Sequence, residues 1–492
     1  MEMNFNKADT VFAFAMLVCG FLYWNLIELV MLGAGVTTFA IVIFAVSFIY
    51  LTRSGYRQNK RSAVCLVLAA FSAAQFALFD NWFISFLNLA FLTGLFIYWI
   101  CLTTGRQIDK KLSVYMIGDA LKQGISMPFL NFFCCAAGIK RSISEQKSGK
   151  GILAVLVGIL IILPLITAVV NLLMSADWAF ENFIGRFYDL LNFDTIITYI
   201  GQFIFGIPVA FYLYGLIYGN AKGRYDDKIT SSSVDGAAKI MKIAPRLTIY
   251  SALTAFNAIY LLFFVVQAAY FFSAFNGTLP ETFTYAEYAR RGFFELCAVA
   301  GINLLVLTIS HLTIKREAGE EPKALRLATV TISVFTVLLI VTALSKMGMY
   351  INAYGLTLLR VFTSFFMILL LFTFLVICIR QFIRFNSARI IILGVVTMLM
   401  VLFYSNVDGN IAKYNIERYE AGTLITLDID AFYELSAAAV PHVYEFYLKT
   451  DENNRELRQK LEAYVENSRS YIAPGFRGFN LQRYKADEIR VK

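Results

Sequence analysis

Apolar runs dominate this chain, and the polar connections between them are by turns rich in lysine and arginine and nearly free of both. Eleven runs are long enough to matter, at residues 10–30, 34–52, 62–79, 82–102, 151–174, 195–219, 247–273, 284–313, 326–345, 356–379 and 388–406. A hydrocarbon core about 30 Å thick is crossed by about 20 helical residues. Backbone groups in lipid must bond internally, so each run predicts a transmembrane helix. A membrane β-barrel would alternate over segments of about ten residues. Unbroken runs such as Val361–Cys378 exclude it. The predicted fold class is all-α: a polytopic bundle of about eleven spans with a small helical C-terminal segment.

Charge orients the bundle. Of 43 basic residues, 26 fall in one alternate set of connections, 5 in the other (Arg186, Arg290, Arg291, Lys346, Arg360) and 12 in the tail from residue 407. Basic loops stay cytoplasmic. The N-terminus is therefore expected inside, and an odd number of spans puts the C-terminus outside. The net charge of +9 belongs to the membrane portion, because the tail holds 12 basic against 14 acidic residues. That excess suits anionic inner-leaflet lipid. No nucleic-acid motif of basic and stacking residues accompanies it. The first run lacks a small-residue cleavage site and reads as a retained signal-anchor. Met16-Leu17-Val18-Cys19 is not a lipoprotein box, since valine stands where a small residue is needed.

Four parts emerge. Residues 1–102 form a four-span unit, 103–150 a cytoplasmic loop, 151–406 a seven-span core and 407–492 an outward tail. The loop carries Leu121, Ile125, Phe129, Phe132 and Phe133 between lysines. It predicts an amphipathic helix broken near Pro128, lying on the interface or packed on the bundle. Pro164 and Pro208 fall inside consecutive spans. Such breaks mark binding sites in many transporters, and also occur in passive helices. In the eighth span, Thr284 and Glu287 are spaced as a capping box. Glu287, Arg291 and Glu295 follow on one face at four-residue spacing.

Asp408-Gly409 is expected to break the last span, with tail helices at about 410–421, 430–438, 441–449, 452–468 and 480–489. The tail repeats a motif: Tyr414-Asn415-Ile416-Glu417-Arg418-Tyr419 returns as Phe479-Asn480-Leu481-Gln482-Arg483-Tyr484. Two helices of one design suggest a packed pair, with Asn415, Arg418, Tyr419, Asn480, Arg483 and Tyr484 serving packing or binding.

The run Thr284–Leu296 resembles a bacterial membrane family catalogued as domain of unknown function 4173. So do Asn415 with Arg418-Tyr419, Leu435-Ser436 leading to Ala439-Val440-Pro441, and Asn480-Leu481 with Arg483-Tyr484. The resemblance covers roughly 150–492. It departs at Ala438, where members often carry aspartate. It implies a polytopic bacterial membrane protein and no activity.

Chemistry is sparse. His311 and His442 are the two histidines, placed on opposite faces, and neither has ligands at metal spacing. Seven cysteines form no zinc knuckle, and none lies in the outward tail. There is no P-loop, dinucleotide fingerprint or nucleophile elbow. The chain therefore calls for no cofactor and no metal, and leans away from an enzyme.

Intramembrane polar groups remain: Glu28, Asp80, Asp177, Glu181, Asp194, Glu295 and Arg360, with Asn25, Asn257, Gln267 and Asn303. Charge inside a membrane marks function by default. Asp80, Asp177, Glu181 and Asp194 reach the outer interface, where Trp82 and Trp178 anchor helices. Glu28 and Glu295 are left, with Arg291 and Arg360 as counter-ions. That set favours a small-solute or ion-coupled transporter. The alternatives are a non-transporting sensor or accessory subunit, whose tail binds a partner protein or envelope component, and a lipid-linked transferase. The last wants acidic residues in the first outward loop, where residues 31–35 are Met-Leu-Gly-Ala-Gly. The expected location is the bacterial plasma membrane.

Overall fold

The computed structural model describes residues 5–145, 193–225, 240–276, 293–315, 323–451, 454–468 and 475–490, with single positions 169, 173, 232, 233 and 236 between them. Ten described helices are long and apolar enough to cross a membrane. They are α1 (Lys7–Leu26), α2 (Ala34–Arg53), α3 (Lys60–Leu78), α4 (Trp82–Thr104), α8 (Phe193–Lys222), α9 (Arg246–Asn276), α10 (Phe293–Thr313), α11 (Lys323–Tyr354), α12 (Leu358–Arg380) and α13 (Ser387–Tyr404). The predicted span at 151–174, with Pro164, lies outside the described residues, as does the eighth run before Phe293. No strand occurs among the described residues; one parallel bridge joins Ala244 to Ile314. The chain is an all-α, polytopic helical bundle.

Packing follows from helical spacing. On α1 the buried residues Asp9, Phe12, Ala13, Met16, Cys19 and Gly20 recur every three or four positions, while Val11, Phe14 and Val18 face outward. Each α1 turn thus presents one stripe to protein and the rest to lipid. That stripe meets α8, and the backbones come closest at Gly20 and Gly206: a Cβ on Gly20 would strike the Gly206 carbonyl. Small residues at such crossings let membrane helices approach closely. At the base of the same pair, fully buried Asp9 accepts from the Tyr50 hydroxyl (2.9 Å) and pairs with Lys222 Nζ (2.9 Å). Asp9 also closes the capping box that starts α1 at Asn6. One core cluster joins α1–α4 to α8; another joins α9–α12.

The loop helix is amphipathic in an inverted sense. It comprises α5 (Met116–Leu121), a widened turn (Lys122–Ser126) and α6 (Met127–Leu130). Ile117, Leu121, Ile125, Phe129 and Phe133 are exposed at four-residue spacing. The opposite face buries polar groups: Asp119 accepts from the Ile108 amide (2.8 Å), and Gln123 from Asn220 (2.6 Å). The helix does not break at Pro128. A widened turn precedes the proline, and the Tyr212 hydroxyl donates to the Gly124 carbonyl (2.8 Å), which lies four residues before a ring that has no N–H to give. α7 (Cys134–Glu145) follows and packs on α1 and α8.

The last span ends earlier than Asp408-Gly409. α13 stops at Tyr404, and Asn406, with φ of 45°, turns the chain. Asparagine tolerates this left-handed conformation better than other side chains do. Asp408 and Gly409 then lie within α14 (Val407–Glu420), followed by α15 (Val440–Lys449), α16 (Arg455–Ser468) and α17 (Leu481–Arg490). Phe432, Val443, Leu461 and Tyr464 give these helices a core that continues into α13 through Leu402 and Phe403.

Candidate functional site

The α3–α4 connection is Phe79-Asp80-Asn81, so short that its side chains serve the helix below or the tail above. Asn81 does both. Its Oδ1 caps α4 by accepting from the Ile84 amide (2.8 Å), and its Nδ2 donates to Asp408 Oδ2 (2.6 Å). The other Asp408 oxygen accepts from the Ser436 amide (3.1 Å). Asp80 Oδ1 pairs with Arg483 Nη2 at 2.6 Å, and its Oδ2 accepts from the Ala437 amide at 3.3 Å. The Asp80 amide donates to Gln482 Oε1 (2.6 Å), and the Ser436 hydroxyl donates to the Asp80 carbonyl. Three separate tail segments therefore converge on two hairpin residues.

A cavity of about 410 Å³ opens at this junction. Among the described residues its polar lining is Asp80, Asp408, Glu434 and Asp487 with one cation, Arg483. Its apolar wall includes Trp82, Phe83, Leu358 and Phe362. Asp408 is 1% exposed. Burial raises its carboxyl to about 6, with a further push from the Asp80 charge, against the lowering effect of the Asn81 and Ser436 donors. The arrangement offers a proton-sensitive carboxylate and a surplus of negative charge beside aromatic surface. Among the described residues no His, Cys, Asp and Glu group is built to hold a metal.

A family profile described as Domain of unknown function (DUF4153) matches residues 62–446. The chain belongs to that family. This corrects the resemblance to domain of unknown function 4173, which rested on the run Thr284–Leu296 and on short tail motifs around Asn415, Ala439 and Asn480. Motifs of a few residues recur by chance in unrelated chains, whereas the family profile spans most of this one. The DUF4153 match takes in Asp80, Asn81, Asp408 and Ser436, and ends before Arg483. No curated protein and no solved structure matches the chain.

The sequence candidates are scattered. Glu28 is not inside a helix: α1 ends at Leu26, because the next turn must reverse the chain, and Glu28 is exposed in that turn. Glu295 is exposed in the first turn of α10, in the field of Lys346. Arg291 lies outside the described residues. Arg360 donates to the Tyr354 (3.0 Å) and Gly355 carbonyls and lies 4.1 Å from the Tyr350 ring centroid, so it caps α11. None of these three described groups lines the junction cavity.

The repeated tail motif meets two different hairpins. Asn415 accepts from the Leu356 amide (2.7 Å) and donates to the Leu356 carbonyl (2.8 Å). Arg418 donates to the Ile351 (3.2 Å) and Asn352 (2.9 Å) carbonyls at the end of α11. Tyr419 packs edge-on against Phe446. In the second copy, Asn480 caps α17 by accepting from the Arg483 amide (2.8 Å), Arg483 reaches Asp80, and Tyr484 is exposed beside Phe479. Sequence reasoning set Asp80 aside as interfacial and read Asp408 as a helix breaker. The available signal was an Asp-Asn pair in a connection too short to leave it idle.

Proposed function

We propose that this integral membrane protein is a binding protein, and that its junction cavity takes a cationic amphiphile such as an alkylammonium. The observation that carries the reading is the four-to-one surplus of carboxylates over cations, among the described residues, in a cavity also lined by aromatic and aliphatic side chains. An ammonium is attracted to carboxylates and to aromatic faces alike. Asp80 pairs with Arg483, and Glu434 and Asp487 add negative charge to the same lining. In this reading the tail is a sensor element on the extracytoplasmic side of the bacterial plasma membrane. The unequal distribution of basic residues among the connections supports that sidedness.

Carriage of an ion or solute is the rival reading. The cavity within the first helical cluster, about 590 Å³ and bounded by Tyr23, Phe44, Leu92, Phe96 and Leu213, has no carboxylate, lysine or arginine on its wall among the described residues.

The test titrates the full-length protein in nanodiscs with decyltrimethylammonium and, separately, decyl sulfate, following the fluorescence of Trp82 with W82F as the blank. Saturable binding of the ammonium, weakened in E434Q/D487N, supports the reading. Equal responses to the two probes, or an unchanged response in E434Q/D487N, would overturn it.

A further inference from the structure

A second cavity, of about 510 Å³, lies at the opposite end of the bundle from the tail. Its place follows from the helices. α12 starts beside Leu356, which the tail holds, and α13 ends beside Asn406, so the turn between them, Gln381–Asn386, is at the far end. A 23-residue helix such as α12 is about 35 Å long at 1.5 Å per residue. Among the described residues the cavity is lined by Arg326, Arg380, Arg384 and His311 and by no carboxylate. Among the described residues none of the three arginines forms an ion pair. Arg326 instead lies over the Phe382 ring, 5.4 Å from its centroid.

Two further features fit an anion. Ser387 and Ala388, the first residues of α13, line the cavity. The start of that 18-residue helix contributes partial positive charge. Beside the cations, Leu307, Ile377 and Ile391 supply an apolar wall. Phe382 (64% exposed) and Ile383 (60% exposed) extend the apolar surface outward between Arg380 and Arg384. Cations ringed by outward apolar side chains are what a headgroup layer accommodates.

We propose that this cavity binds a phosphate group, carried by an anionic phospholipid whose chains run along Leu307, Ile377 and Ile391. Three guanidiniums suit phosphate oxygens, since each presents a planar fork of donors. The inference is independent of the ligand at the tail junction.

The experiment is native mass spectrometry of the full-length protein in detergent, titrated with phosphatidylglycerol, with diacylglycerol of the same chains and with inorganic phosphate. Phosphatidylglycerol adducts are expected, and diacylglycerol adducts are not. R380Q/R384Q should weaken phosphatidylglycerol about thirtyfold, the factor for two surface cations each worth about 1 kcal/mol. R380K/R384K, which keeps the charge, should retain most of the affinity. Inorganic phosphate bound with the same dependence on the arginines would assign the site to a soluble phosphate source and still support it. Equal phosphatidylglycerol binding by wild type and R380Q/R384Q, or equally tight diacylglycerol binding, would overturn it. Circular dichroism checks folding, and R326Q gives the same readout if the double variant fails to fold.

Discussion

Asp80 and Arg483, on opposite sides of the long bundle sequence, meet at 2.6 Å with side chains only 9% and 20% exposed. The pair fastens the end of the tail to a hairpin of the N-terminal spans. Water has little access to the contact, so removing one partner strands the other.

Substituting either partner should therefore release the tail. Breaking a buried pair from one side costs about 3–5 kcal/mol. D80A and R483A should each accelerate protease cleavage between α16 and α17 while the spans stay intact. Cleavage at the wild-type rate in both would show that the pair contributes nothing to docking.

Asn415 should matter to a comparable degree at its own hairpin. N415A removes both hydrogen bonds to Leu356 and leaves its half-buried backbone amide without that partner, a loss of about 1–3 kcal/mol. Combined with R483A, the losses should add, because the two contacts engage separate hairpins. Thermal unfolding of the two single variants and the double variant measures this.

Asp408 predicts a pH dependence of definite sign. Its carboxyl sits at about 6 in the folded protein against 3.8 for an ordinary aspartate. Between those values the folded state holds a proton that the unfolded chain has released. Stability is thus greatest below about pH 4 and falls as pH rises through 6, by about 3 kcal/mol at about 1.4 kcal/mol per unit. D408N should flatten unfolding profiles over that window. Binding of an ammonium at the cavity should run the other way, strengthening as the carboxylate ionises, from about a tenth ionised at pH 5 to about nine-tenths at pH 7.

The α1–α8 crossing should reject bulk. G20L forces a side chain against the Gly206 backbone, and overpacking of this kind costs about 1–3 kcal/mol. Its thermal midpoint in detergent should fall. Val18, exposed on the lipid side of α1, is the control: V18L should leave the midpoint unchanged.

Much of the architecture was legible without coordinates. Lipid requires long, continuous, internally bonded apolar helices, so hydropathy alone marked spans such as α12 and α13 to within a few residues. Most tail helices were readable from their period, although the stretch expected as a helix at about 430–438 forms two short 3-10 turns, Asp430–Glu434 and Ala437–Ala439. The candidate site was not. Glu28 and Glu295 stood out because they are acids next to apolar runs, but burial is a property of what packs against a residue. α1 stops two residues short of Glu28, and nothing in the local sequence says so. Asp9, Asp80 and Asp408 drew little notice because each sits at a helix end, where an acid is ordinary. What makes them unusual is Lys222, Arg483 and Asn81, which come from distant parts of the chain.

The one-dimensional order of residues was enough to dictate an all-helical chain that spans a bilayer, because the solvent acts on each segment separately. Only the folded arrangement decided which carboxylates are buried, that the two copies of the tail motif grip different hairpins, and where cavities form. Those depend on pairings between segments hundreds of residues apart, and no local energy term encodes them.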